Sequence, residues 1–174
     1  MKDILDELTF KEILAYSIIA ERVSKKAYLD FAEGTVGELK KDKFKQLADD
    51  EEMHAVELIK IHKKEFGDDE IIFPKGKELP PHEAEVDVRT SESMIESLQL
   101  ARQNELNANK IYKYLADEKP IYKDTFNHIA NMEMDHYEAL KVEIDFYTDG
   151  KDKQPPTERT PDATSVGKEQ TFIR

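Results

Sequence analysis

The stretch Leu47-Ala48-Asp49-Asp50-Glu51-Glu52-Met53-His54 places a carboxylate and an imidazole on a helix face that is otherwise apolar. In an α-helix, residues three and four positions apart lie on the same face. At that spacing, the face continues through Phe44, Leu47, Glu51, His54, Leu58 and Ile61. Burial of such a polar pair is costly unless a cation, a proton or a salt bridge offsets the carboxylate charge.

The same pattern recurs 82 residues later, in Ile129-Ala130-Asn131-Met132-Glu133-Met134-Asp135-His136. Here the face that should be apolar contains Phe126, Ile129, Glu133, His136, Leu140 and Ile144. A single Glu-x-x-His is most often an exposed pair on a helix surface. The matching positions of two copies within predicted core faces favour a shared buried site instead.

Two further predicted helices each carry one inward glutamate. The first is predicted over residues 9–34, because the spacing of Thr9 and Glu12 is typical of a capping box at a helix start. The inward glutamate of this helix is Glu21. The other is predicted over residues 90–117. Its inward glutamate is Glu105.

The helices with the Glu-x-x-His motifs are predicted over residues 38–66 and 120–149, with Pro120 in the first turn of the latter. Between the second and third helices, residues 68–89 contain three prolines and no helical periodicity. About 22 extended residues reach about 70 Å, whereas a helix of about 28 residues is roughly 40 Å long. The sequence therefore predicts an all-α four-helix bundle with one long crossover between helices 2 and 3.

The two halves of the bundle match in detail. Glu21 precedes Tyr28 by seven residues, and Glu105 precedes Tyr112 by seven; in each half the next helix carries a Glu-x-x-His. We interpret this as two duplicated helical hairpins, each of which supplies ligands to one shared site.

Residues 1–150 are predicted to form this domain, and residues 151–174 form a polar C-terminal tail with three prolines. We expect the tail to dock across a subunit boundary. A second interpretation is that its final Phe172-Ile173 binds a shell or partner protein.

Composition narrows the chemistry further. The 174 residues contain no Cys, which excludes disulfides and thiolate ligands and leaves carboxylates and imidazoles to bind metal. A formal net charge of -12 argues against a nucleic-acid partner. The sequence has neither a membrane-spanning apolar run nor a secretory signal, so we expect a cytoplasmic protein without a membrane partner. A homodimer or larger homo-oligomer is the expected assembly.

Four carboxylates and two imidazoles in one layer of a bundle would balance the charge of two divalent metal ions. Oxygen ligands mixed with imidazole favour iron or manganese, and di-iron carboxylate bundles use this arrangement. We predict two iron ions, with manganese or zinc as substitutes. The predicted ligands are Glu21, Glu51, His54, Glu105, Glu133 and His136.

These motifs resemble the ferritin-like di-iron domain of rubrerythrins over roughly residues 8–148. The resemblance implies that Glu51 and Glu133 bridge the two irons. It implies that Glu21 and Glu105 are terminal ligands, and that His54 and His136 each supply one nitrogen ligand per iron. It also implies that Tyr28 and Tyr112 orient carboxylates, although ordinary core aromatics explain these two residues equally well.

The sequence departs from the rubrerythrin pattern at two points. Rubrerythrins usually carry a further glutamate three residues after the third-helix ligand, where this chain has Ala108. They also commonly append a rubredoxin domain, whose four cysteines this sequence lacks. Reducing electrons are therefore expected from a separate donor protein.

The leading expectation is a di-iron oxidoreductase that reduces peroxide or O₂. One alternative is a ferritin-like ferroxidase that stores iron, loaded into a shell through its tail. Another is a metal-free structural bundle whose carboxylates are protonated or salt-bridged. Outside the predicted ligands, the acid run Asp49-Asp50 is interpreted as solvated surface, Met132 as packing, and His62, His82 and His128 as surface or loop residues.

Overall fold

The computed structural model of the protein describes residues 1–68, 70–82 and 86–149. Within these ranges the chain forms five α-helices and one 3-10 turn: α1 Lys2–Asp6, α2 Phe10–Gly34, α3 Glu38–Phe66, α4 Ser91–Glu118, the turn Pro120–Tyr122, and α5 Lys123–Thr148. Helices α2 and α3 form one hairpin, and α4 and α5 form the other. The predicted all-α, ferritin-like bundle of two hairpins with one crossover is confirmed.

The C-terminal tail, residues 151–174, lies outside the described residues, so its docking stays a prediction. The domain boundary at residue 150 and the homo-oligomeric state are likewise untested. Among the described helices, each is too short or too polar to cross a lipid bilayer.

Local capping chemistry accounts for the ends of the helices. The Thr9 hydroxyl accepts a hydrogen bond from the Glu12 amide, and the Glu12 carboxylate accepts one from the Thr9 amide at 2.8 Å. Thr90 and Ser93 form the same reciprocal pair at the start of α4. Helix α3 ends at Gly67, whose φ of 76° is the left-handed conformation that favours glycine.

The start of the chain and the start of the last helix differ from the prediction. Helix α1 was not predicted, because five residues are too few to show a helical period. It forms because Leu5 is buried in the core, and the Tyr114 hydroxyl donates to Asp6 at 3.0 Å beside it. Pro120 opens a 3-10 turn rather than the α-helix itself, which begins at Lys123.

The core consists of two apolar clusters with a polar layer between them. One cluster contains Leu14, Ile18, Leu58, Leu115, Phe126 and Ile129. The other contains Phe31, Phe44, Leu47, Met94, Leu98 and Leu140. Along the α2 sequence, Glu21 lies between residues of the first cluster and residues of the second. The polar residues therefore occupy the middle of the bundle, as the sequence periodicity predicts.

The described residues of the crossover, 68, 70–82 and 86–89, contact both ends of α2. Near its beginning, Asp68 accepts a hydrogen bond from Lys11 in the first turns of α2, at 3.1 Å. Near its end, Val88 packs directly against Gly34, the last residue of α2. A helix of 25 residues is roughly 37 Å long, which an extended segment of this size spans easily.

The contact between Gly34 and Val88 leaves no space for a side chain. A Cβ atom on Gly34 would lie 2.4 Å from Val88 Cγ2 and 2.5 Å from Val88 Cβ. We therefore expect Gly34→Ala to lower the free energy of unfolding by about 1–3 kcal/mol, because overpacking displaces the crossover. Urea unfolding measures this. Val88→Gly, which removes the clashing Cβ as well as the Cγ atoms, should cost less stability in the Gly34→Ala background than in the wild type. A Gly34→Ala variant more stable than the wild type would contradict the contact, since helix propensity alone favours Ala by about 1 kcal/mol.

Candidate metal centre

Six side chains from four helices meet in the polar layer of the bundle. Helices α2 and α4 each contribute one glutamate, and α3 and α5 each contribute one Glu-x-x-His. These residues are at most 3% exposed to solvent, and they are Glu21, Glu51, His54, Glu105, Glu133 and His136. The structure thus brings together all six residues that the sequence predicts as ligands.

These side chains divide into two overlapping quartets. The first quartet comprises Glu21, Glu51, His54 and Glu133, and the second comprises Glu51, Glu105, Glu133 and His136. Within each quartet, one potential ligand atom per residue lies within 4.8 Å of the others. Glu51 and Glu133 belong to both quartets, which is the placement that the family resemblance implies for bridging ligands.

Each imidazole lies closest to the shared glutamate of the opposite half. His54 Nδ1 is 3.0 Å from Glu133 Oε1 and 3.5 Å from Glu51 Oε2. His136 Nδ1 is 3.0 Å from Glu51 Oε1 and 3.7 Å from Glu133 Oε2. The two rings stack at a centroid distance of 5.6 Å. Both Nδ1 atoms therefore face the carboxylates between the two halves.

Two buried tyrosines exchange hydrogen bonds between the halves. Tyr28 on α2 donates its hydroxyl to Glu105 Oε1 on α4 at 2.5 Å, and Tyr112 on α4 donates to Glu21 Oε1 on α2. Burial has the largest effect on both phenols, and repulsion from nearby carboxylates adds to it. Together they raise the pKa of each phenol well above the usual value. Both hydroxyls therefore keep their protons and hold the two glutamates in place.

The rubrerythrin family profile matches residues 12–144, which is most of the chain. This chain belongs to the rubrerythrin family. No curated protein matches it. Among solved structures, a hypothetical protein from Pyrococcus furiosus is 24% identical, with a TM-score of 0.77 over 85% of this chain and 96% of the other. At that identity, the structural likeness supports the fold alone.

The donor set of this rubrerythrin-family site fits two divalent metal ions. Several buried atoms lie in ion-pair contact but form no aligned hydrogen bond: Glu51 Oε1, Glu133 Oε1 and Oε2, His54 Nδ1, and His136 Nδ1. Buried polar atoms that lack aligned hydrogen bonds are costly, and these converge on the shared space of the two quartets. Carboxylate oxygens mixed with imidazole nitrogens are suitable ligands for iron or manganese.

The four glutamates form two pairs with opposite pKa shifts. Burial and repulsion from Glu133 raise the pKa of Glu51 well above its usual value, whereas in Glu21 hydrogen bonds overcome the effect of burial and lower the pKa to about 2. Similarly, burial and repulsion raise the pKa of Glu133 to about 8, and hydrogen bonds lower that of Glu105 against burial. Without metal, the two carboxyl groups of each pair therefore share a proton.

The imidazoles hold protons as well. Burial disfavours a charged ring, but close contacts with the carboxylates of Glu133, Glu21 and Glu51 outweigh that effect and raise the pKa of His54 to about 12. The pKa of His136 is raised for the same reason. Protonated imidazoles then offset carboxylate charge in the metal-free cluster. Metal binding would release protons, because metal ligands must be deprotonated.

A small cavity reaches the cluster between α2 and α4. Its inner wall includes Glu21, Glu105 and Glu133, and its outer wall includes His82 and Ala108. Ala108 stands where rubrerythrins usually have a further glutamate. The missing carboxylate therefore leaves space beside the cluster.

The crossover covers this cavity. The Tyr16 hydroxyl donates to Pro80 O at 2.9 Å, and the Asn107 side-chain amide donates to Pro81 O at 3.1 Å. These two bonds attach the crossover to α2 and α4 and place His82 at the cavity wall.

Predictions for four residues outside the ligand set were wrong or incomplete. His62, predicted on the surface or in a loop, is fully buried, and its Nδ1 lies 3.1 Å from Asp68 O. His82 does lie in a loop, yet it lines the cavity. Asp50, interpreted as solvated, and Met132, interpreted as packing, both contact ligand histidines. Asp50 and Met132 could have been found from the sequence, because each directly precedes a shared glutamate, Glu51 or Glu133.

Proposed function

We propose that this rubrerythrin-family protein is a di-iron oxidoreductase that reduces peroxide or O₂ with electrons from a separate donor protein. The observation that supports this most directly is the convergence of six buried ligands into two quartets that share Glu51 and Glu133. Two irons would be held by three glutamates and one histidine each. The family match over residues 12–144 is consistent with such a site.

Bound Fe²⁺ ions would supply one electron each and stabilise negative charge on oxygen. Reduction of one H₂O₂ consumes two electrons and two protons and yields two water molecules. The protein's part is to hold the terminal carboxylates in position through the phenols of Tyr28 and Tyr112. Preorganised ligands of this kind need little rearrangement during the reaction.

The cavity between α2 and α4 provides a route for a small oxidant. Its free space is on the order of one water molecule, which favours a small oxidant such as O₂ or peroxide. Hydrogen bonds from Tyr16 and Asn107 keep the crossover over the cavity and limit entry of bulk solvent.

The 174-residue sequence contains no Cys to hold an iron–sulfur or rubredoxin centre, so we infer that the electrons come from elsewhere. We propose a separate redox protein as the donor.

Anaerobic titration of the metal-free protein with Fe²⁺, followed by excess peroxide, tests the proposal. We expect about two irons to bind and be oxidised per chain, one at each quartet. Oxidation that continues to tens of irons in soluble form would instead indicate storage. Absence of Fe²⁺ uptake would contradict both metal-dependent functions and favour the structural bundle.

The oxidant is identified by repeating the second step with air-saturated buffer. Faster oxidation by peroxide than by O₂ at equal concentration would favour peroxide as the substrate. If neither oxidant changes the iron spectrum of a loaded protein, the proposed oxidoreductase is wrong.

A further inference from the structure

Asp50 and Met132 occupy equivalent positions in the two halves, directly before the shared glutamates Glu51 and Glu133. Each lies behind the ligand histidine of the other half. Asp50 Oδ2 is 3.4 Å from His136 Nε2, an ion-pair distance without hydrogen-bond alignment, and Met132 Sδ is 3.5 Å from His54 Nε2. The duplicated bundle thus places a carboxylate behind one imidazole and a thioether behind the other.

The chemical difference between the two contacts is large. A carboxylate behind a ligand imidazole fixes the orientation of the ring and makes its coordinating nitrogen more basic. A thioether is uncharged, and its sulfur is only a weak acceptor. The Asp50 side chain is 16% exposed, so its charge is partly screened but faces the ring at short range.

The rest of the site is nearly symmetric. Each quartet contains three glutamates and one histidine, and each terminal glutamate accepts a hydrogen bond from a tyrosine of the other half. The donor sets are therefore the same at the two metal positions. The two positions differ in the residue that contacts the Nε2 atom of each ligand histidine.

We propose that the two metal positions are unequal, and that the quartet with Glu105 and His136 holds a divalent cation more tightly than the quartet with Glu21 and His54. Asp50 is the positioning residue that produces the difference. This inference rests on the proposed di-iron function. It predicts that the cation at the His54 quartet binds second and leaves first.

Release of Fe²⁺ to a chromogenic chelator, under anaerobic conditions and without any oxidant, measures the difference directly. The wild type, loaded with two Fe²⁺ per chain, should release iron in a fast and a slow phase of similar amplitude. Asp50→Asn should accelerate the slow phase by about 10–100-fold and leave the fast phase unchanged, because loss of a partner behind a ligand histidine costs about that much in affinity. His136→Ala, which removes a ligand, should abolish the slow phase and so assign it.

Two further variants complete the test. Met132→Asp places a carboxylate behind His54 and should slow the fast phase. Asp49→Asn removes the same charge one residue away, on the exposed surface, and should change neither phase. Circular dichroism establishes that each variant is folded; if Met132→Asp does not fold, Asp50→Asn decides the question.

The outcomes separate this inference from the proposed function. A single release phase, or an equal effect of Asp50→Asn on both phases, overturns the inference while peroxide reduction by the wild type still supports the function. Unequal release from a loaded protein that fails to reduce peroxide or O₂ overturns the oxidoreductase and supports the unequal positions.

Discussion

Glu51→Gln is expected to abolish binding of both iron ions, whereas Glu52→Gln, at the next residue, is expected to leave binding intact. Glu51 is 1% exposed and belongs to both quartets, so its loss removes a ligand from each. Loss of a partner behind a ligand already costs about 10–100-fold in affinity, so we expect loss of the shared ligand to cost more than about 100-fold. Metal analysis after gel filtration, together with chelator competition, measures the effect.

Glu52 is a well-matched control, because it carries the same charge on the same helix turn. Its side chain is 49% exposed and accepts a hydrogen bond from Lys25 at 2.9 Å. Such a surface ion pair contributes little to stability. Glutamine also preserves the size of the buried Glu51 side chain, so the metal-free Glu51→Gln protein should remain folded. Undiminished iron content in Glu51→Gln would refute the proposed site.

Metal loading is expected to raise the melting temperature by about 10–20 °C near pH 8, and by much less near pH 5. Ligand at about 100 times its dissociation constant adds about 2.7 kcal/mol per site, and each kcal/mol shifts the melting temperature of a domain this size by about 2–4 °C. Protons compete with metal for the same atoms, so the gain shrinks as the pH falls.

The metal-free protein should show the opposite trend with pH. The pKa of Glu133 rises from its ordinary 4.5 to about 8 on folding, and that of His54 rises from 6.5 to about 12. A raised pKa means that the folded state holds more protons than the unfolded state between the two values. The stabilising contribution is therefore complete below the unfolded pKa and is lost as the pH rises through the folded one.

Glu21 acts in the other direction but in a different range. Its pKa is lowered from 4.5 to about 2, so its contribution is complete above 4.5 and is lost only as the pH falls toward 2. As the pH rises from 5 to 9, the metal-free protein should thus become less stable. Over the same range the metal-loaded protein should become more stable. Differential scanning calorimetry of both forms across this range tests the prediction. If the difference in melting temperature between the loaded and metal-free forms did not depend on pH, proton–metal competition at the site would be contradicted. As a control, chelator should not change the melting temperature of Glu51→Gln.

The sequence alone determined the helices and the composition of the site, because both depend on local regularities. The capping pair Thr9 and Glu12 and the stop at Gly67 depend on chemistry within a few residues. The inward position of the six acidic and imidazole side chains follows from helical period, and the internal duplication assigns them to one layer. For the same reason the crossover could be inferred from its prolines and its reach.

Only the tertiary structure decided which residues surround that site, because those contacts join positions far apart in the chain. The α1 helix forms through burial of Leu5, not through its own propensity. His62 lies four residues from Leu58 and Phe66 on α3, but its complete burial and its contact with Asp68 depend on how the chain packs after the helix. Whether Asp50 faces water or His136 depends on how α3 packs beside α5, which no helical period can specify. The six potential ligands could thus be identified from sequence, whereas the difference between the two halves of the site required the packing of the helices.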